Sequence, residues 1–432
     1  MKIIDGIPVW GPPEPGALKQ IKVCAETADK VALMGDHHKG YAVPIGGVVA
    51  YRNSVSPSGV GYDIGCGNKA VRVDMAGSEL RENIRRIMDD VWKTISFGVG
   101  RRNEEEVDND LFSYPNWCLE AAAPLKQMAR NQLGTVGSGN HYVDLFTDEL
   151  DRVWIGVHFG SRGLGHKIAT WFLAKAGAKD GMDVAPCILS TDSDLGQQYI
   201  DAMQLAGHYA YAGRDWVCDR VARILGAPIL EQVHNHHNFA WNEKHGNDWY
   251  WVVRKGATPA FPGQKGFVGG TMGENSVILE GVENPEAEFS LYSTVHGAGR
   301  VMGRREAAGK SRITRRWKCQ DYRKCNYTAP KGGFFREENG PTPKCPLCGH
   351  KLRLTEMRES LQPGKVSPEM MKAWLMRANV ELRGGGLDES PDCYKRLSEV
   401  LQEHSNSVRI LHTLTPVGVA MAGAEEFDPY KD

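Results

Sequence analysis

The chain has 432 residues and carries 52 Lys and Arg against 53 Asp and Glu. That balance excludes a protein that holds nucleic acid by bulk charge, since such domains carry a clear basic excess, so a polyanionic partner must meet a local patch. At 41% hydrophobic and 24% charged the composition excludes disorder and fibre, and its 49 glycines, about one residue in nine against an average near 7%, are clustered.

The opening MKIIDGIPVWGPPEPG lacks a basic segment followed by an apolar core, so no secretory signal is expected there. No apolar run approaches the roughly 18 residues of a membrane helix. Ten cysteines, two of them in a Cys-x-x-Cys, fit reduced thiols kept for metal better than a secreted disulfide framework. The expected compartment is the cytoplasm, with no membrane partner.

The first sixty residues are rich in Gly, Pro and short apolar runs and sustain no helical period. From Gly59 the stretch GVGYDIGCGNKAVRVDM places a Gly-rich loop before a strand in which Val71, Val73 and Met75 alternate with Arg72 and Asp74. Ser78 is the expected cap of an amphipathic helix carrying Leu80, Ile84, Ile87, Met88, Val91, Trp92 and Ile95 on one stripe. In VWIGVHF the alternation Val153, Ile155, Val157 puts His158 at a strand end, on the face opposite the valines. A helix with Leu164, Ile168 and Phe172 follows. Residues 193 to 225 read as a long helix, VHNHHN (233 to 238) as its exit, and WYWVVR (249 to 254) as a strand. Ser367 and Pro368 start a further helix through Met370, Met371, Trp374 and Ala378. Strands interleave with helices without a repeating βαβ unit, so the expected fold is α+β, mixed sheets with surrounding helices.

Between Gly309 and about Thr355 the texture changes. The segment holds four of the ten cysteines, the basic run KSRITRRWK and a Gly/Pro-rich middle. It reads as a module inserted at 310–355 in one domain formed by 1–309 and 356–432.

Asp63 and Cys66 lie three apart in a glycine loop that can aim both side chains at one point. A carboxylate and a thiolate can hold a divalent ion, and a thiolate can bridge two; a buried cysteine after a glycine turn can equally be plain core. His141, His158 and His234 each sit beside a strand or helix end, and together with Asp63 and Cys66 they make the set a two-metal site needs. His296 stands in a turn of small residues, VHGAGRVMGRR, followed by Arg300, Arg304 and Arg305. Amides freed by Gly297, Ala298 and Gly299 can approach phosphate, and arginines can neutralise it. GGTMGENS (269 to 276) and RKGATPAFPGQKG (254 to 266) are further glycine loops; none fits the P-loop or dinucleotide fingerprints.

Taken together, DIGCG (63 to 67), GSGNHYVDL (137 to 145), HFGSRGLGH (158 to 166), HN (234 and 235), RKGAT (254 to 258), HGAGR (296 to 300) and RGGGLDESP (383 to 391) resemble the RtcB family of RNA-splicing ligases. The likeness covers nearly the whole chain except about 310 to 355. It implies an RtcB-like catalytic domain and a GTP- and manganese-dependent ligase that joins RNA 2′,3′-cyclic phosphate or 3′-phosphate ends to 5′-hydroxyl ends, with tRNA halves or broken RNA as substrates. By motif position Asp63, Cys66 and His141 would hold one Mn²⁺, and Cys66, His158 and His234 the second. His296 would be the nucleophile that carries GMP. Asn140, Asn235, Gly269, Gly270, Thr271, Met272, Ser276, Gly297, Ala298, Gly299 and Arg300 align with nucleotide-contacting positions, and an archease-like protein is an implied activator. Two departures stand out. The family's guanine-reading Glu is Asp144 here, one methylene shorter, and its terminal Lys-Gly is Ala422-Gly423, with Lys431 in the tail as a candidate substitute. Those departures leave two alternatives, a metal-dependent phosphoesterase acting on cyclic phosphate ends and a degenerate RNA-binding protein.

In the insert, Cys319-x5-Cys325 and Cys345-x2-Cys348 resemble a zinc ribbon. The segment either captures RNA through Arg312, Arg315, Arg316, Lys318 and Tyr322 or is a metal-stapled loop that stabilises the fold.

Overall fold

The computed structural model describes residues 1–179, 181–321, 325, 327–330, 342–424 and 426. Tyr322 and Lys431 lie outside the described residues.

Two sheets organise the chain, and nearly every strand pair in them is antiparallel, the pattern of an α+β protein. A six-stranded sheet runs in the order Lys2–Ile4, Ile7–Val9, Lys30–His38, Ile45–Tyr51, Asp248–Lys255, Asn238–His245. The larger sheet runs Ile229–His236, Gly67–Ala76, Arg152–Phe159, Tyr142–Thr147, Val408–Gly423, Ser276–Gly281, Lys265–Val268, with Glu381–Gly385 added in parallel to Val408–Gly423.

Alternation along the larger sheet splits its side chains between two cores. On one face Val71, Val73, Val143, Leu145, Val153, Ile155 and Val157 meet Leu80, Ile87, Met88 and Val91 of the helix Gly77–Thr94, and Val217 and Val221 of the helix Asp194–Leu225. On the other face Ala70, Phe146, Trp154, Val233, Phe267, Ile278 and Leu414 pack together. With both faces covered, each buried Val or Ile contributes roughly 1.5–3 kcal/mol.

Several expectations hold at the residue level. The helix Asp194–Leu225 starts on Ser193, whose hydroxyl accepts the Gly196 N–H, and the helix Pro368–Ala378 starts on Ser367. Others do not. The helix after the Gly67–Ala76 strand begins one residue before Ser78, at Gly77, with Ala76 in the capping position and no side-chain cap. The opening sixty residues contain a helix, Pro15–Ala25, capped by the Glu14 carboxylate on the Gly16 and Ala17 N–H groups. VHNHHN is not a helix exit: its first four residues belong to the edge strand Ile229–His236.

The segment read above as an insertion contains a long antiparallel strand pair. Gly309–Cys319 pairs with Leu352–Pro363, from Gly309↔Pro363 at the root to Cys319↔Leu352, so Thr355 lies within a strand and the hairpin closes at Pro363. Among the described residues no helix is long and apolar enough to cross a membrane.

Candidate active site and a cysteine cluster

Three strands of the larger sheet end together, and their ends carry the candidate ligands. Cys66 immediately precedes Gly67–Ala76, His141 immediately precedes Tyr142–Thr147, and His158 is the penultimate residue of Arg152–Phe159. Pairing sets both Asn68 and Tyr142 opposite His158, which fixes the histidine beside the other two. The Cys66 Sγ lies 3.6 Å from His141 Nε2 and 3.3 Å from His158 Nε2, and the Asp63 Oδ2 is 3.1 Å from that same His141 nitrogen. Asp63 and Cys66 are drawn together by a turn in which the Cys66 N–H donates to the Asp63 carbonyl at 3.0 Å. Gly160 admits the carboxylate, since a Cβ there would collide with it.

Burial opposes ionisation of Asp63, but His141 and Arg162 outweigh it and bring the carboxyl to about 2. Burial, reinforced by the Asp63 charge, pushes the Cys66 thiol well above its ordinary range. Burial also keeps His158 neutral, far below its usual value. A carboxylate, a thiol and imidazoles within 4.8 Å for the Cys66, His141 and His158 atoms are a donor set that fits divalent first-row metals.

His234 is not part of this cluster. In the strand Ile229–His236, residues 234 and 236 share one face, and that face meets the helix Asp194–Leu225. There the His234 Nε2 accepts from Arg214 Nε at 2.8 Å, and its ring packs against Tyr211. The fully buried Arg214 also donates to the Gly65 and Phe159 carbonyls at 2.9 and 2.5 Å, so it braces the turns that carry Cys66 and His158 from behind. His237, one residue past the strand end, takes the place expected for His234. Its ring lies 5.1 Å from that of His158 and 4.9 Å from that of His296, and its buried Nδ1 has no partner. The sequence repeats the His-Asn pair at 234–235 and 237–238, and period-2 alternation distinguishes the two.

His296 follows the short strand Ser293–Val295. Its Nδ1 lies 2.6 Å from Asp36 Oδ2, and the same oxygen accepts the His296 backbone N–H at 3.0 Å. Asp36 comes from Lys30–His38, where the pairing jumps between Leu33↔Gly47 and His38↔Ile45; this bulge releases Asp36 from the ladder. Burial opposes its ionisation, yet His296 and Lys395 hold the carboxyl below its usual range. Gly299, at φ +77°, is required here, because a Cβ would collide with the Asp36 carbonyl.

These groups open into one cavity of about 650 Å³ lined by Asp63, Cys66, His141, His158, His237 and His296. Asn140, Asp144, Gly269, Gly270, Thr271, Met272, Gly297, Ala298, Gly299 and Arg300 line it too. The glycine loops lie side by side through a Gly269↔Gly297 bridge. Asn235 and Ser276 stand behind the wall instead: Asn235 accepts the Phe267 N–H and Ser276 accepts the Gly270 N–H, while Asn238 lines the cavity. Asp144 is buried with its Oδ1 unpartnered, and burial raises its carboxyl well above the usual range. Arg300 is anchored on Glu389, the Tyr394 hydroxyl and the Asp388 carbonyl, and Arg304 on Asp388 and Glu389. The acidic pair in RGGGLDESP therefore shapes the basic rim.

The four insert cysteines converge. Cys319 and Cys348 sulfurs are 3.4 Å apart, those of Cys325 and Cys345 3.6 Å, and all four lie within 4.8 Å of one another. These separations are too long for disulfides and near the ~3.8 Å edge of a ZnS₄ tetrahedron with Zn–S of about 2.3 Å. Gly349, at φ +74°, turns the chain so that its N–H reaches the Cys345 carbonyl at 2.9 Å.

Comparison with known proteins identifies a family and several relatives. A family profile described as RtcB, tRNA-splicing ligase RtcB, matches residues 18–123 and 116–339. The chain is 31% identical over 309 residues to the RNA-splicing ligase RtcB of Escherichia coli K12, covering 64% of this chain and 75% of that protein. It is 31% identical over 361 residues to the tRNA-splicing ligase RtcB of Thermococcus kodakarensis, covering 65% and 74%. To the RNA-splicing ligase RtcB homolog 1 of Entamoeba dispar it is 30% identical over 374 residues, covering 68% and 70%.

Proposed function

The chain belongs to the RtcB family and is an RNA ligase, and on that footing we propose that it joins RNA 2′,3′-cyclic phosphate or 3′-phosphate ends to 5′-hydroxyl ends with GTP and manganese, through GMP carried on His296. The observation that carries this reading is a histidine clamped by a buried carboxylate in the same cavity as a cysteine-histidine-carboxylate cluster.

Asp63, Cys66 and His141 would hold one Mn²⁺, and Cys66, His158 and His237 the second, with His237 in place of His234. Manganese there supplies Lewis-acid polarisation of phosphate oxygens. Asp36 accepts the Nδ1 proton of His296 and so leaves the Nε2 lone pair facing the cavity. That nitrogen attacks the α-phosphorus of GTP; the P–N bond forms as the bond to the β-phosphate oxygen breaks and pyrophosphate leaves. A 2′,3′-cyclic end is first opened by water, which breaks the bond between phosphorus and the 2′-oxygen and leaves a 2′-hydroxyl and a 3′-phosphate; an oxygen of that 3′-phosphate then takes the GMP, breaking the P–N bond. Finally the 5′-hydroxyl oxygen attacks the activated 3′-phosphorus, its proton is lost, and GMP departs. Asp144 would read the guanine edge, and the amides of the two glycine loops would hold its phosphate.

Cys319, Cys325, Cys345 and Cys348 would hold a structural Zn²⁺, and an archease-like protein would serve as activator in the cytoplasm. The test uses two labelled RNAs, one ending in a 2′,3′-cyclic phosphate and one beginning with a 5′-hydroxyl. A joined product that requires GTP and Mn²⁺ is expected. Opening of the cyclic phosphate without joining, GTP present, would overturn the ligase mechanism in favour of a phosphoesterase.

A further inference from the structure

The hairpin that carries the four clustered cysteines is strongly basic. Residues 309–363 hold thirteen Lys or Arg against five Asp or Glu, a net of +8 in a chain whose total is −1. The remainder therefore carries −9, and the near-neutral whole conceals a polarised molecule.

The arrangement of that charge is specific. Lys318 stands directly opposite Arg353, and Lys344 directly opposite Lys351. Like charges opposed across a strand pair weaken it, and among the described residues none of these four makes an ion pair. Arg312 and Arg316, to which the sequence drew attention, share the Glu359 carboxylate at 2.8 and 3.6 Å. The unrelieved charge thus lies further along the hairpin, toward the cysteine cluster. Such a double repulsion is relieved by an anion laid along the ribbon.

The hairpin is also placed at the cavity. Its root continues from the helix Arg304–Ala308, of which Arg304 and Glu306 line the cavity mouth. The strand of 11 residues extends from there for about 35 Å at ~3.3 Å per residue.

We propose that this arm binds the phosphodiester backbone of single-stranded RNA through Lys318, Lys344, Lys351 and Arg353, and so holds the strand whose end enters the His296 cavity. The choice of RNA as the polyanion rests on the ligase reading; the surface rests on the charge pattern alone.

The test is equilibrium binding of the full chain to a fluorescent single-stranded RNA with hydroxyls at both ends, which cannot be ligated, across a salt series. In the variant combining Lys318→Gln, Lys344→Gln, Lys351→Gln and Arg353→Gln, affinity at low salt is expected to fall at least about tenfold. The slope of log affinity against log salt should become shallower by up to about 3, at ~0.7 per lost phosphate contact. A charge-conserving set, Lys→Arg at the three lysines with Arg353→Lys, should retain binding. Unchanged affinity and slope in a Gln variant with wild-type circular dichroism and melting would overturn the proposal and point to an acidic protein partner, as would absence of RNA binding by the wild type. Arm-dependent binding by a chain that fails to ligate would sink the ligase mechanism and leave the arm standing.

Discussion

Asp36 and His296, 260 residues apart in sequence, share two hydrogen bonds to one carboxylate oxygen, from the imidazole at 2.6 Å and from the backbone N–H at 3.0 Å. The pair fixes both the ring orientation and the tautomer of the nucleophile. Asp36→Asn can keep its carbonyl oxygen as the shared acceptor, but it removes the negative charge that offsets the positive charge developing on the ring as Nε2 attacks. The rate of GMP transfer to His296 is expected to drop roughly 10³–10⁴-fold, by analogy with the same change in a catalytic triad, while metal content stays at the wild-type level. Single-turnover labelling with metal analysis checks both.

His237 and His234 separate by metal content. His237→Ala removes a ligand facing His158 and should lower bound Mn²⁺ by about one ion per chain, read by elemental analysis. His234→Ala should keep both ions. It leaves the buried Arg214 Nε without its acceptor, so a stability loss of ~1–3 kcal/mol is expected in denaturant unfolding. The reverse pattern would restore His234 to the metal site.

Metal binding at the catalytic cluster should release about one proton at neutral pH. The Cys66 thiol is pushed up by burial and by Asp63, so it is protonated in the metal-free chain and must ionise to bind. Asp63 is already ionised at about 2, and burial keeps His158 and His237 neutral. Because binding expels one proton, affinity should rise about tenfold per pH unit below the Cys66 pKa. Calorimetry of zinc-loaded protein with Mn²⁺, in two buffers of different ionisation heat, reads the proton count; zero would contradict this account.

The cysteine cluster should bind one Zn²⁺ per chain, and Cys345→Ser should abolish it. Loss of the staple would leave the hairpin tip without its only described apolar cluster, formed around Cys319, Cys325, Cys345 and Leu352. Limited proteolysis is then expected to cut within 309–363 in the variant while sparing the wild type. Equal cleavage in both would count against a folding role for the metal.

Much of the site was legible because Cys66, His141, His158 and His296 sit at strand ends near glycine, with Asp63 in the glycine turn that leads into one of them. Asp36 was not, since the bulge that frees it from its strand depends on pairing with Ile45–Tyr51 and leaves no mark within GDHH. The strand Ile229–His236 was hidden by polar residues that face Arg214 and Lys69, and missing it made His234 and His237 indistinguishable by motif. Similarly, the partners of Arg300 and Arg304 lie in a loop more than eighty residues away, a distance at which spacing says nothing. The global charge concealed the basic arm for a simpler reason: a sum over the chain cancels what a hairpin concentrates.

The most direct test of the central claim is incubation of the chain with α-phosphate-labelled GTP and Mn²⁺, comparing wild type with His296→Ala and GTP with ATP. An acid-labile GMP adduct on the wild type, absent from His296→Ala and weak with ATP, is the expected result. No adduct on a metal-loaded wild type, or an adduct that survives His296→Ala, would contradict it.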